Sequence, residues 1–259
     1  MEFIKSNYIN TTTQIAISSS TSTVSNLYNP DKYFQYYTDG FDDDLTTTSI
    51  TVTFDTTMTV SRIALVDTNL RDFIIFYNGA TANTFAMTST GATTTSSWTS
   101  NSEGSMYLRC NTQTAITSIT IDMKKTITAD QEKRIGFLMI SDLYFAMTQL
   151  PAANNYDPII KQKQVVHQLS DGGTRVHRVG TKWNTNISLE YVTTADRDSL
   201  YTIYSLLVPF AFCPFGTTTS WDAAVFECIW DGNFDFYQFS TNAQSSGFSG
   251  KITLKETPT

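Results

Sequence analysis

The sequence predicts an all-β fold in two domains, a β-sandwich followed by a smaller β-barrel or sandwich that carries one helix. Three observations lead there. Only 16% of the 259 residues are charged, below the roughly 25% usual for a soluble domain, and Thr, Ser and Asn supply the missing polar surface. The β-branch of Thr favours strands over helices. Apolar and hydroxyl residues alternate with a period of two along most of the chain, while a single segment has a convincing helical face. A hydrophobic fraction of 41% with 13% aromatics supplies the core.

The elements follow in order. After the Thr/Ser-rich stretch Thr11–Ser25, Asn26-Leu27-Tyr28-Asn29-Pro30-Asp31 reads as a turn into the aromatic segment Tyr33, Phe34, Tyr36, Tyr37. Thr38-Asp39-Gly40 is a second turn, followed by Asp42, Asp43 and Asp44. Ile50, Val52 and Phe54 alternate with Thr51 and Thr53 as a half-buried strand, and Val60–Val66 reads as another. Phe73–Tyr77 is apolar on both faces, closed by Asn78-Gly79. Thr88–Ser102, around Trp98, suits loops or weak edge strands; Ile119, Ile121 and Met123 alternate again, and Ile135–Phe145 completes a first domain spanning 1–148. Pro151, Asn154, Asn155 and Pro158 suggest a linker over 149–163.

In the second domain, 164–259, Val165-Val166 and Val176 flank the turn Asp171-Gly172-Gly173 as a hairpin, and Ile187, Leu189 and Tyr191 alternate. The helix is expected over 195–207, with Thr193 as N-cap, Leu200, Ile203, Tyr204 and Leu207 on one face, and Pro209 as the stop. Ala224–Trp230, the turn Asp231-Gly232-Asn233 and Phe234–Phe239 read as a second hairpin, and Ile252 and Leu254 as the last strand.

A formal charge of -7 argues against a sequence-independent polyanion binder, so nucleic acid is not the expected partner. Cys110, Cys213 and Cys228 are odd in number with no close pair, which suits three buried thiols and leaves a Cys213–Cys228 bridge open. No apolar run is long enough for a transmembrane helix, and Met1–Asn10 lacks the basic start and apolar run of a secretion signal.

Motifs for catalysis are missing: no HExxH, nucleophile elbow, GxGxxG or Walker pattern occurs. Carboxylate pairs such as Asp67 with Asp72 or Glu190 with Glu227 have no distinguishing spacing, so no catalytic residue, enzyme activity or cofactor is expected. Asp39, Asp42, Asp43 and Asp44 lack EF-hand spacing; they suit a solvated turn, or a structural calcium ion if loop carbonyls complete the shell. Tyr33, Tyr36, Tyr37 and Trp98 either fill a core or form an aromatic platform for a sugar or protein surface. His167 and His177 flank the Asp171 turn and would face each other across its hairpin. Lys161, Lys163, Arg175, Arg178 and Lys182 concentrate charge on the same segment: 161–182 sums to +4, leaving -11 for the rest. Such polarity suits a subunit interface in a homo-oligomer, the two histidines included.

The run Leu27-Tyr28-Asn29, Tyr37-Thr38-Asp39-Gly40, Ile50–Asp55, Val60–Leu65 and Phe73–Tyr77 resembles the opening of discoidin-like, galactose-binding-like jelly rolls, over residues 10–147. That resemblance implies loops at one end that bind sugars, lipids or protein partners. The second domain resembles, more weakly, the β domains of phage distal-tail or baseplate proteins, through Ser170-Asp171-Gly172-Gly173, Trp183–Tyr191, the lone helix and Gly250–Glu256. Together the resemblances imply a virion structural protein of a phage tail or baseplate, assembled in the host cytoplasm, which forms or decorates a ring with other tail proteins. The alternative is a carbohydrate-binding adhesin for a host surface glycan; a glycan-processing enzyme comes last.

Overall fold

The computed structural model describes residues 1–259 except 21, 30–33, 40–43, 86–92, 96–97, 101–103, 148–155, 169–172, 215–224, 239–246 and 257–259; side chains at 93–95, 98–100, 156–158, 160–165, 177–182 and 226 are also outside the description. The protein is all-β with a single α-helix among the described residues. In chain order the strands are β1 (Glu2–Lys5), β2 (Ile15–Ile17), β3 (Tyr36–Tyr37), β4 (Thr48–Thr68), β5 (Leu70–Tyr77), β6 (Thr93–Thr95), β7 (Trp98–Ser100) and β8 (Met106–Thr126). They continue as β9 (Arg134–Ser141), β10 (Leu143–Ala146), β11 (Tyr156–Gln168), β12 (Thr174–Val192), β13 (Phe210–Cys213), β14 (Phe226–Trp230), β15 (Asp235–Gln238) and β16 (Phe248–Glu256), with helix α1 (Thr194–Leu206) between β12 and β13. Two compact units result: a first of Glu2–Tyr144 with Ala211–Val225, and a second of Phe145–Phe210 with Phe226–Pro258 and Met1.

The first unit is a jelly-roll sandwich built on two long strands that change partners midway. The first part of β4 pairs with β2 and with residues 118–123 of β8, whose far side takes β5. Past register shifts between Thr53 and Arg62, the later part of β4 pairs with residues 106–109 of β8 and with β9, which carries β3. Such irregularities let a strand bend from one layer of a sandwich into the other. Sequence reading separates Ile50–Phe54 from Val60–Val66; no Gly or Pro stands between them, and they are one strand. Between the layers lies a core that includes Leu27, Tyr36, Ile50, Val52, Ile63, Leu65, Phe73, Leu108, Ile121 and Leu138.

Val60–Leu65 is buried on both faces, because alternate residues meet different cores. Ile63 and Leu65 enter the sandwich core, while Ala64 joins Ile4, Tyr107, Phe137, Met139, Ala211 and Cys213 in a second cluster. That cluster lies under a strip in which β1 runs between β10 and β13. Residues 211–213 thus belong with the first unit although the helix precedes them in sequence, which a division at 148 does not foresee.

In the second unit the sheet runs β14-β16-β12-β11, with β15 also on β16. The expected linker is strand from Tyr156 onward: β11 is the last strand in this order, the edge position to which Pro within a sheet is largely confined. Among the described residues, the expected hairpin of Ala224–Trp230 with Phe234–Phe239 does not form. β14 and β15 pair one after the other with β16, Trp230 opposite Leu254 and Asp235 opposite Lys251. The Asp231 N–H donates to the Thr253 carbonyl at 2.8 Å, so the Asp231-Gly232-Asn233 segment is a step along one partner.

Helix α1 starts where expected, the Thr193 hydroxyl accepting from the Asp196 N–H at 3.1 Å. Leu200 and Ile203 are buried, and Tyr204 packs on Trp230 and Phe234, ring centroids 5.5 Å from each. Leu207 departs from the expected apolar face. It takes the left-handed conformation past the last turn and is exposed, because Pro209 keeps Val208 out of the helical region. No helix among the described residues is long and apolar enough to cross a membrane.

Candidate functional site

Strand β3 is two residues long and divides its side chains between core and surface. Tyr36 points inward: it is fully buried, and its hydroxyl donates to the Ser19 carbonyl. Tyr36 is therefore core and not part of a binding platform, as the period of two requires once Tyr37 faces out. The Tyr37 N–H donates to the Ser22 hydroxyl at 2.8 Å, and the Asn26 amide donates to the Gln35 carbonyl at 2.9 Å, which fixes the approach to the strand.

Opposite Tyr37 in the β3–β9 pairing stands Arg134. The backbone of Arg134 is held on two sides: its N–H donates to the Asn69 side chain at 2.7 Å, and its carbonyl accepts from the Thr68 hydroxyl at 2.8 Å. A chain of polar side chains then closes around the pair. The Tyr37 hydroxyl donates to Gln35 Oε1 at 2.5 Å, Gln35 Nε2 donates to Asp67 Oδ2, and Arg134 Nη2 donates to Asp67 Oδ1 at 3.0 Å. Arg134 and Asp67 keep 35% and 43% of their side-chain surface open to solvent, and Phe34, three residues before Tyr37, is 51% exposed.

Asp67 occupies this place through an unusual backbone. Its φ is 49°, in the left-handed region that Asp tolerates better than most residues. Gly136 makes the approach possible, since a Cβ there would lie 2.9 Å from the Asp67 Cβ and 3.0 Å from the Val66 carbonyl oxygen. Non-glycine residues in this region concentrate at functional positions.

The remaining candidates from sequence separate. Tyr33, Asp42 and Asp43 lie outside the described residues, as does the side chain of Trp98, whose backbone sits in β7. Asp39 is exposed, with its N–H donating to Ser19 Oγ at 2.7 Å. Asp44 is a structural anchor: its carboxylate accepts from the Thr126 N–H and hydroxyl at 3.1 and 3.2 Å, and Arg71 Nη2 lies at 4.0 Å. Among the described residues no group of three or more His, Cys, Asp or Glu could hold a metal ion.

Cys110, Cys213 and Cys228 are buried thiols, and no disulfide joins them. His167 stands opposite Arg175 and His177 opposite Val165, so the two histidines are not directly paired across the hairpin as expected. Lys161 is opposite Lys182, Lys163 opposite Gly180 and Arg178 opposite Gln164. Of the generic carboxylate pairs, Asp72 takes Arg71 at 3.3 Å and Lys125 at 3.9 Å, while Asp67 takes Arg134.

One further ionic cluster is closed. Glu2 is buried, accepting from Arg62 Nε and Nη2 at 3.0 Å each and from the Tyr107 hydroxyl, with Arg109 Nη2 also paired to it. Burial, then the Glu2 carboxylate, push the Tyr107 phenol well above its ordinary range. With four donors on one carboxylate, this cluster has no acceptor left for a ligand and serves to fasten β1.

No family model matches the chain, and no curated protein matches it. Among solved structures, about half of it aligns with small β modules. Several of these neighbours are carbohydrate-binding modules. Chitosan-binding module 1 from a chitosanase/glucanase of Paenibacillus sp. IK-5 is 14% identical, with 52% of this chain and 97% of that one covered and a TM-score of 0.35. A pectin-binding module is 16% identical, with 52% and 91% covered and a TM-score of 0.36. A Clostridium perfringens module solved with GlcNAc-α-1,4-galactose is 14% identical, with 49% and 88% covered and a TM-score of 0.36. Similarity of this size transfers no ligand and no residue role.

Sequence reading missed Gln35 and Arg134, and took Asp67 only as one carboxylate among many. One signal pointed there: Gly136 interrupts an otherwise apolar strand, a mark of close backbone approach.

Proposed function

We propose that the protein is a non-catalytic glycan-binding module whose site is the Tyr37–Gln35–Asp67–Arg134 surface. The observation that carries this reading is the chain of planar polar groups in which Arg134 and Asp67 stay partly open to solvent, with Phe34 exposed three residues before Tyr37. Saccharides present adjacent hydroxyls, each a donor and an acceptor, and carboxylate, amide and guanidinium groups match them in pairs. The electron-rich face of an aromatic ring suits the weakly positive C–H face of a pyranose. The fixed backbone of Arg134 and Asp67 orders these groups before a ligand arrives, which lowers the entropic cost of binding.

Titration of the full chain against a panel of neutral and acidic oligosaccharides tests the reading. Saturable binding is expected, weakened at least about tenfold by Arg134→Ala or Asp67→Ala, with β-sheet circular dichroism unchanged. Affinity for no glycan, or equal affinity in the variants, defeats it. The setting proposed for the module is a phage tail or baseplate, and peptide mass spectrometry of purified virions checks that location separately.

A further inference from the structure

The Tyr37–Arg134 surface carries charge as well as hydrogen-bonding groups. The pairing of β3 with β9 is prolonged by one step past Tyr37: the Thr38 N–H donates to the Lys133 carbonyl at 3.0 Å, and the Lys133 N–H donates to the Thr38 hydroxyl at 3.0 Å. Thr38 and Lys133 are fully buried, so by alternation the residues on either side of each face outward. Asp39 and Glu132 are both exposed, the first following Tyr37 and the second preceding Arg134 on one outer face. Two residues of chain span at most about 7 Å, inside the Debye length of about 10 Å at 0.1 M salt. The Asn69 side chain holds this spacing, its amide donating to the Glu132 carbonyl at 2.7 Å and its oxygen accepting from the Arg134 N–H at 2.7 Å.

The cations close by do not offset these carboxylates. The Arg134 guanidinium is already matched by Asp67, Nη2 lying 3.0 Å from Oδ1. Its Nε is buried without a hydrogen-bond partner, so an incoming carboxylate does not find the Nε side of the fork that makes arginine a bidentate anion receptor. Lys133, between Glu132 and Arg134, turns inward, and its ammonium donates to the Thr46 carbonyl at 3.0 Å. The outer face then holds the carboxylates of Asp39, Asp67 and Glu132 with the guanidinium of Arg134, and the balance is negative.

We infer, resting on the glycan-binding reading, that this site takes neutral saccharides and rejects acidic ones, uronic and sialic acids included, with Asp39 and Glu132 setting the preference. An approaching carboxylate meets like charge at both flanks of the site. A saccharide hydroxyl, donor and acceptor at once, engages the same amide, carboxylate and guanidinium groups without that cost.

Calorimetric titration of the full chain with matched saccharide pairs provides the test: galactotriose against trigalacturonate, and N-acetyllactosamine against its sialylated form. At about 0.1 M salt the neutral member is expected to bind at least about tenfold more tightly. The gap should narrow at about 1 M salt, where the Debye length falls to about 3 Å. Asp39→Asn and Glu132→Gln are each expected to tighten binding of the acidic member, with thermal melting and affinity for the neutral member unchanged. Acidic members bound as tightly as neutral ones, or a preference that neither salt nor substitution narrows, overturn this inference alone. Binding of neither member of either pair by a folded chain sinks the glycan reading and this inference together.

Discussion

Cys110 lies in the sandwich core, and burial pushes its thiol from an ordinary 9.0 up to about 12. Burial likewise raises Cys228 well above its usual range, and Tyr8 to about 12. Each of these groups is neutral in the folded chain over a range where the unfolded chain has lost the proton. The unfolded state therefore binds fewer protons above pH 9, and stability falls as pH rises from the ordinary value toward the folded one. For Cys110 a displacement from 9.0 to about 12 is worth on the order of 4 kcal/mol at its full extent. Urea midpoints measured from neutral pH into the alkaline range should hold steady and then decline past pH 9. Cys110→Ala should show a shallower decline, and equal slopes would remove the thiol from the explanation. Residue burial of this kind was legible: an odd, scattered set of cysteines points to core thiols. The Gln35–Asp67–Arg134 chain was not, because it is made by pairing between residues up to about a hundred positions apart and by one left-handed backbone that no local pattern specifies.

At the scale of elements, alternation located most strands, and the Thr193 cap with Pro209 located the helix. What alternation does not convey is how strands join. β4 is one strand because bulges, which leave no mark in hydropathy, bend it between layers. β14 and β15 share β16 because register, not the Asp-Gly turn between them, decides their partner. Strand β1 illustrates a different gap, since an N-terminal Glu reads as surface until Arg62, Arg109 and Tyr107 are seen around it. Glu2→Ala would leave the buried Arg62 without its carboxylate, a change that typically costs about 3–5 kcal/mol. Hydrogen exchange should then show β1 amides opening ahead of those in β4, whereas unaltered protection of β1 would mean the ionic cluster does not hold it.

On the scale of the whole molecule, the chain leaves the first unit at Tyr144 and contributes to it again from Ala211 to Val225. A chain ended at residue 147 would keep both sandwich layers and lose Ala211 and Cys213, opening the cluster beneath the β1 strip. Lower thermal stability and binding of a hydrophobic dye are the expected outcome, measured against the full chain. Equal melting with no dye binding would show that the sandwich is complete without the returning strand. Composition made the two-part, all-β plan readable; the return crossing was hidden because Phe210–Cys213 looks like any short apolar strand.

The position of β1 between β10 and β13 also bears on how the protein is made. Ribosomes deliver β1 well before β13, which follows the helix in chain order. At about 5–20 residues per second, roughly ten to forty seconds of synthesis separate the two. Throughout that interval Phe3 and Ile4, buried in the finished fold, wait without their last neighbour, which makes the nascent β1 segment a natural client for a chaperone.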